Sequence, residues 1–225
     1  MLRAHGELLD LGFLGYAEAL ALQTDLVERR ARGEAPDTLL LVEHPPVVTL
    51  GRRSNRAELG DPGCPVFEVA RGGQATYHGP GQLVGYPILR LDERRIGLHG
   101  YLRALEEILI RAIGDFGIEG TRREGLTGAW VGPRKIASIG VAVRRWVSYH
   151  GFALNVKTEA AAFGRIRPCG LDPAVMTSMT AEAGREVCMS DVKARVAARF
   201  SEVLGVDFRP TRETGRVGDP ALERG

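Results

Sequence analysis

The sequence predicts an α+β fold with a mixed, largely antiparallel sheet and flanking helices. Apolar runs of strand length follow one another along the chain, and helical spacing of apolar residues interrupts them in only three places. Strands in runs, without regular alternation with helices, are typical of α+β proteins. At 225 residues and 44% hydrophobic content, the chain is long enough to bury a core within one domain.

The first half of the chain predicts an edge strand, a helix and a series of strands. Residues 8–11 form a short apolar run, and residues 15–32 place apolar side chains at helical spacing. Gly33 and Pro36 end that helix. Turns rich in Gly and Pro separate the next strand-like runs, which are residues 38–42, 47–50, 66–69 and 83–91.

The second half predicts two more helices around a β-meander. Residues 97–116 have Leu and Ile on one helical face, and residues 128–156 have the pattern of three consecutive strands. Ser190 is the predicted N-cap of a helix that reaches Leu204. We therefore predict one domain, which covers residues 1–208, followed by a loose tail, residues 209–225, with few large apolar groups.

Composition argues against several classes of function. The 30 basic and 28 acidic residues nearly cancel, so the charge does not favour an RNA or DNA binder. The three cysteines have no metal-ligand spacing, and so few thiols favour a reducing compartment. The N-terminus has no long uncharged run of the kind found in signal peptides or membrane helices. We expect a cytoplasmic protein without a metal ion.

Cys169 is the strongest candidate for a reactive group. It lies on a predicted bend between Pro168 and Gly170, with Arg165 and Arg167 close in sequence. Positive surroundings lower the pKa of a thiol and raise the fraction of nucleophilic thiolate. The alternative interpretation is a buried cysteine that acts as a small hydrophobic residue.

The other two cysteines are weaker candidates. Cys64 lies in a predicted turn and has no reactive neighbour in sequence. Cys188 precedes the predicted N-cap Ser190, where a helix N-terminus can perturb a thiol. We therefore expect neither to carry the chemistry.

Lys135 is one of only three lysines, and the other 27 basic residues are arginine. It opens an alternating run that predicts a strand. Arginine serves equally well for surface charge, whereas the lysine amine can lose a proton at accessible pH. The alternative is an exposed strand lysine without a catalytic role.

Two segments combine glycines with polar groups. RGGQATYHGPGQ (residues 71–82) contains four glycines, so its backbone can approach a ligand closely. HGFALN (residues 150–155) offers small residues that can line a narrow apolar slot. A sharp hairpin loop and a core histidine at His150 are the alternative interpretations.

Together these segments resemble the lipoyl(octanoyl) transferase family, from EHPPVVTLGR (residues 43–52) to RPCGLD (residues 167–172). The resemblance implies a fold like that of biotin and lipoate protein ligase catalytic domains. It also implies that Cys169 carries the acyl group and that Lys135 activates it. The residues implied to contact the acyl chain are Arg71, Gly72, Gly73, Gln74, Ala75, Thr76, Tyr77 and His78, then Ser138, Ile139 and Gly140, and finally Gly151, Phe152 and Ala153.

The activity that the resemblance implies is the first step of endogenous protein lipoylation. An octanoyl or lipoyl group passes from acyl carrier protein to a lysine of lipoyl domains, in 2-oxoacid dehydrogenase complexes and in glycine cleavage H protein. Exchange of one thioester for another at Cys169 is nearly neutral in free energy, so no ATP and no cofactor are expected. Two alternatives are an ATP-dependent lipoate or octanoate protein ligase and a non-catalytic acyl-carrier-binding module. Neither of them needs Cys169.

Overall fold

A computed structural model describes residues 4–56, 59, 61–165 and 172–211. It contains an eight-stranded sheet in the order β11-β1-β2-β6-β10-β9-β8-β7 and a three-stranded sheet in the order β4-β3-β5. The strands are β1 (Ala4–Phe13), β2 (Thr38–Glu43), β3 (Val47–Leu50), β4 (Val66–Glu68), β5 (Thr76–His78), β6 (Gln82–Ile88), β7 (Thr121–Arg123), β8 (Leu126–Val131), β9 (Arg134–Arg144), β10 (Val147–Asn155) and β11 (Val206–Pro210).

The large sheet is mixed, as predicted. Strand β1 pairs in parallel with β2 and β11, and every pair from β2 to β7 is antiparallel. The predicted meander is confirmed as β8, β9 and β10. The expected edge position of β1 is wrong, because β11 covers its outer side; the pairing partner lies about 200 residues away in sequence, beyond the reach of local patterns.

In the described part of the chain, four α-helices accompany the sheets: α1 (Tyr16–Ala31), α2 (Leu98–Gly114), α3 (Met179–Ala183) and α4 (Met189–Leu204). Helices α2 and α4 pack together on one face of the large sheet, and α1 packs on the other face against β6 and β10. Strand β2 is buried on both faces because Leu39 and Leu41 point to the α2–α4 side while Leu40 and Val42 point to the α1 side. The eight-stranded sheet is therefore a central layer between helices.

The predicted cap of the last helix needs correction. Cys188 is the N-cap of α4, and Ser190 lies within the first turn, where its hydroxyl is 3.1 Å from the Cys188 sulfur. Strands β5 and β7 and the short helix α3 were not predicted. Strand β11 includes Arg209 and Pro210, where the tail was expected to begin, and residues 212–225 lie outside the described residues.

The described residues also include 3-10 turns at Asp92–Arg94, Ala160–Arg165 and Pro173–Val175. In the part of the chain that is described, no helix combines the length and the apolar character needed to cross a membrane.

Candidate active site

A pocket opens where strands β6, β9 and β10 meet the glycine-rich segment, and we call it the inner pocket. Its empty space is about 440 Å³, part of which is open solvent. It brings together the three segments that were predicted to contact an acyl chain, with the exception of Gln74, Ala75 and Tyr77. The lining residues are Tyr16, Arg71, Gly72, Gly73, Thr76, His78, Val84, Tyr86, Ser138, Ile139, Gly140, His150, Gly151, Phe152 and Ala153.

Arg71 holds the glycine-rich segment in place. Its buried guanidinium donates hydrogen bonds to the hydroxyl and carbonyl oxygens of Thr49 (2.8 and 2.7 Å) and to the carbonyl of Gln74 (2.8 Å). At Gly51, a Cβ atom would lie 2.5 Å from the carbonyl oxygen of Gly73, a contact that no side chain can make. The segment thus folds closely onto β3 because one arginine binds several oxygens and a glycine leaves room.

His78 begins a buried chain of hydrogen bonds. Its Nδ1 lies 2.7 Å from the side-chain oxygen of Gln82, and the Gln82 amide donates to Asn155 (3.0 Å). The Asn155 amide donates in turn to the carbonyl of Thr177 (2.9 Å), and the backbone N–H of Thr177 donates to the carbonyl of Lys135 (3.0 Å). This chain connects the inner pocket with the backbone at Lys135.

The histidines of the pocket are neutral. Burial lowers the pKa of His78 to about 3, with smaller contributions from the neighbouring His44 and from Arg71. Burial also lowers the pKa of His150 to about 4, and the positive charge of Arg71 acts in the same direction. Neutral imidazoles beside glycines and aliphatic side chains suit an uncharged ligand.

Lys135 is buried in β9, with 3% of its surface exposed. The alternative of an exposed strand lysine is therefore wrong. Its ammonium lies 5.4 Å from the centroid of the Trp130 ring. Among the described residues, it makes no hydrogen bond or ion pair. Lys135 also forms a parallel bridge with Met176, which follows the segment that contains Cys169.

Lys135 lines a second and larger cavity, which we call the outer groove. The outer groove and the inner pocket share Gly72, Gly73, Ile139 and Gly140, so they meet at these residues. Its full lining is Arg53, Gly72, Gly73, Gln74, Leu98, Leu102, Gly125, Leu126, Thr127, Lys135, Ile139, Gly140 and Val141. The segments predicted to contact the acyl chain thus line the inner pocket, and Lys135 lines the outer groove that is connected with it.

Cys169, together with Pro168 and Gly170, lies outside the described residues. Among the described residues, neither of the other two cysteines forms a disulfide bond; Cys64 is half-buried and Cys188 is exposed. The Ser190 hydroxyl and then the N-terminal backbone of α4 lower the pKa of Cys188, as the sequence predicted for a thiol at a helix start. Neither thiol lines the inner pocket or the outer groove.

Sequence reasoning missed an aromatic group at the base of the inner pocket. The ring of Tyr16 lies 5.4 Å from that of His44 and 6.2 Å from that of His78. His44 also bonds to the hydroxyl of Tyr86 (2.8 Å). A usable signal existed, because a tyrosine within the apolar run of β6 must find a partner for its buried hydroxyl.

Comparison with known proteins identifies the family. The model of the lipoyl protein ligase A/B catalytic domain matches residues 15–201. A curated octanoyltransferase from Syntrophotalea carbinolica is 54% identical over 198 residues, which cover 88% of this chain and 94% of the relative. Another octanoyltransferase, from Geobacter metallireducens, is 52% identical over 195 residues, which cover 87% of this chain and 92% of the relative. The predicted octanoyltransferase activity is thereby confirmed.

Among solved structures, a lipoate-protein ligase A bound with ATP superposes with a TM-score of 0.70 at 18% identity. The match covers 92% of this chain and 88% of that chain. At this identity the likeness shows the fold, and it confirms the expected resemblance to lipoate protein ligases. The chain belongs to the lipoyl protein ligase A/B catalytic domain family.

Proposed function

We propose that the chain takes an octanoyl group from acyl carrier protein onto Cys169 and then transfers it to a lysine of a lipoyl domain. The observation that carries this proposal is the position of Lys135, which is largely buried, lines the outer groove and has no hydrogen-bond or ion-pair partner among the described residues. An ammonium without an ion-pair partner stabilises the charged form of a nearby thiol. A thiolate at Cys169 would supply the missing negative charge, because the chain beyond it returns to β9 at Met176.

In the first half-reaction the Cys169 thiolate attacks the carbonyl carbon of the donor thioester. The new carbon–sulfur bond forms as the bond to the carrier sulfur breaks, and the carrier leaves as a thiolate that takes a proton from Lys135. The acyl group then resides on Cys169. One thioester replaces another, so this step needs no nucleotide.

In the second half-reaction the acceptor lysine must attack as a neutral amine. Only about one part in a thousand of a lysine with an ordinary pKa is neutral at pH 7. Lys135, neutral after the first step, takes a proton from the attacking amine as the amide forms and Cys169 leaves as a thiolate. The original pair of charges is then restored.

The inner pocket supports an octanoyl chain as the cargo. Its walls combine Val84, Ile139, Phe152 and glycines, and its histidines are neutral. The Arg71 guanidinium is held by oxygens of the protein and is thus already solvated by Thr49 and Gln74. An apolar chain of eight carbons gains free energy when it leaves water for such a site.

The acceptors that we propose are the lipoyl domains of 2-oxoacid dehydrogenase complexes and the glycine cleavage H protein. Because the mechanism requires Cys169 as a free thiolate, we place the reaction in the reducing environment of the cytoplasm. An acidic carrier protein is the proposed donor.

Intact-mass spectrometry after incubation with octanoyl-acyl carrier protein tests the proposal. We expect one added octanoyl group on the wild type and on the control Cys188→Ser, and none on Cys169→Ala. Lys135→Met should acylate at least a hundredfold more slowly, because it loses the charge and the proton donor.

Two results would overturn the proposal. One is an adduct that persists in Cys169→Ala. The other is acceptor modification that requires ATP and free octanoate, as expected of a ligase.

A further inference from the structure

The Lys135 side chain lies against strand β8, where it contacts Trp130 and Gly128. Lys135 and Trp130 are cross-strand partners in the pairing of β9 with β8, and the ammonium lies 5.4 Å from the centroid of the ring. Gly128 is two residues before Trp130, on the same face of β8. It leaves room for the lysine, because a Cβ atom there would lie 3.0 Å from the Lys135 Cε. Lys135 therefore rests on an aromatic ring and a glycine.

A β-bulge in β9 turns Lys135 towards this ring. Trp130 pairs with Lys135 and its neighbour Ala129 pairs with Ala137, so Ile136 is an extra residue on β9. Ile136 and Ala137 both pack in the core on the α2–α4 side. In a regular strand Lys135 would share the face of Ala137 and would point into that apolar core. The bulge thus gives Lys135 the opposite face, where the Trp130 ring lies.

A buried acid beside Gly128 is already paired. The Glu106 carboxylate accepts hydrogen bonds from the backbone N–H of Gly128 (3.2 Å) and from Arg103 (2.7 Å), and Arg122 lies 3.3 Å from it. Lys135 forms no hydrogen bond or ion pair in the described part of the chain. Glu106 thus serves two arginines and leaves the lysine without an acidic partner.

Arg123 lies over the same ring, 4.8 Å from its centroid, but depends on the ring less than Lys135 does. The Arg123 side chain is exposed to water and also donates to the carbonyl of Pro133 (3.4 Å). Lys135, in contrast, is buried. A cation–π contact stabilises a cation removed from water more than an exposed one. The ring is therefore the more important partner for Lys135.

We propose that Trp130 is a positioning residue for the reaction, because its ring holds the Lys135 ammonium in place for the Cys169 thiolate. This inference rests on the proposed function. The face of an aromatic ring attracts a cation but carries no net charge. A carboxylate in the same place would form an ion pair with the lysine and would compete with the thiolate for its charge. An aromatic partner fixes the ammonium and leaves its charge available to Cys169.

A double-mutant cycle tests whether Trp130 acts through Lys135. The rate of Cys169 alkylation by iodoacetamide at pH 7 reports its thiolate, and mass spectrometry of the Cys169 peptide excludes signal from the other cysteines. Trp130→Leu should slow this alkylation, and acylation by octanoyl-acyl carrier protein, roughly twofold to thirtyfold. In a Lys135→Met background Trp130→Leu should cause no further loss, because the cation that the ring holds is absent.

Fluorinated tryptophan tests the ring itself, and it keeps the shape of the side chain where Trp130→Leu could disturb the fold. Fluorine withdraws electrons from the ring and weakens its attraction for a cation. The chain has two tryptophans, and Trp146 is exposed in the turn after β9, so Trp146→Phe confines the label to Trp130. Both rates should fall progressively from tryptophan to its mono-, di- and tetrafluoro derivatives. Trp146→Phe with ordinary tryptophan is the control and should react as the wild type does.

The role of Trp130 would be overturned by an equal loss from Trp130→Leu with and without Lys135, as expected of a ring that only supports the fold. Rates that do not change with fluorination would overturn it as well. In both cases the wild type would still be acylated at Cys169, and the proposed function would stand. A wild-type protein that forms no acyl-enzyme, or a Lys135→Met variant as reactive as the wild type, would instead contradict the proposed function.

Discussion

The side-chain oxygen of Gln23 accepts a hydrogen bond of 2.9 Å from the backbone N–H of His150, whose φ angle is 54°. Gln23 is fully buried in α1, and His150 lines the inner pocket. A left-handed backbone conformation at a residue other than glycine lowers the stability of the fold by about 1–3 kcal/mol. Helix α1 thus stabilises the strained backbone conformation of His150, a residue of the inner pocket.

Gln23→Leu is expected to lower the free energy of unfolding by about 1–3 kcal/mol, because the His150 N–H would be buried without an acceptor. Urea unfolding measures the change. Thr24→Ala, at the neighbouring exposed position on the same helix, is the control and should change the free energy by less than about 0.5 kcal/mol. Equal effects of the two substitutions would contradict the role given to Gln23.

Stability should decrease as the pH falls below about 6.5. An unfolded histidine titrates near 6.5, whereas burial holds His78 near 3 and His150 near 4. Below about pH 6.5 the unfolded chain therefore binds protons that the folded chain does not. The contribution of the two neutral histidines to the free energy of unfolding is fully present above that pH. It is lost as the pH falls towards 3–4, with a slope of up to about 1.4 kcal/mol per pH unit for each histidine.

Urea unfolding between about pH 7.5 and 5 measures this slope. His78→Gln should reduce the slope by close to about 1.4 kcal/mol per pH unit, which corresponds to one proton. The exposed control His99→Gln should leave the slope as in the wild type. An unchanged slope in His78→Gln would show that His78 is protonated in the folded state.

Asp37 should be more important for stability than any surface ion pair. Its buried carboxylate accepts hydrogen bonds from Arg30 (2.8 Å), from the side chain of Arg94 and from the backbone N–H of Arg90 (3.0 Å). Asp37→Ala leaves two largely buried guanidinium groups with less negative charge, so we expect a loss of about 3–5 kcal/mol in denaturant unfolding. Glu34→Gln, which affects only an exposed pair with Arg32, should have little effect, and a comparable loss there would contradict this account.

Gly151→Ala should destabilise the fold as well as the pocket. A Cβ atom at Gly151 would lie 2.1 Å from the carbonyl oxygen of Gly85 on β6, which is far inside van der Waals contact. We expect a loss of at least about 2 kcal/mol, seen as a lower melting temperature. Gly114→Ala, at the end of α2, meets no atom within 4 Å and should leave the melting temperature unchanged or raise it. A normal melting temperature for Gly151→Ala would show that β6 and β10 can separate.

The spacing of apolar residues was sufficient to predict the elements that depend on contacts local in sequence. The ends of α1 and α2 were predicted within two residues because their apolar faces stop at a glycine or soon before one. Strand β5 was missed because Thr76–His78 is short, lies in a glycine-rich segment and is stabilised by pairing with β3, more than 25 residues earlier. No local pattern contains that information.

In the candidate site, too, some residues could be identified from the sequence and others could not. The motifs placed Gly72, Ser138 and Gly151 at one pocket through a family resemblance, and the structure brings these residues together. The resemblance gave no reason to include Tyr16 or Tyr86, which reach the pocket from α1 and β6 through tertiary packing alone. The separation of Lys135 into a second cavity also depends on which face of β9 each side chain takes.

The pairing of β1 with β11 affects the order of events during biosynthesis. Ala4 pairs with Val206, so one side of β1 stays unsatisfied until β11, about 200 residues later, has been translated. An uncovered strand edge is a template for association with other nascent chains. Termination of translation before Val206 should therefore yield a product that aggregates, even though every residue of both cavities would be present.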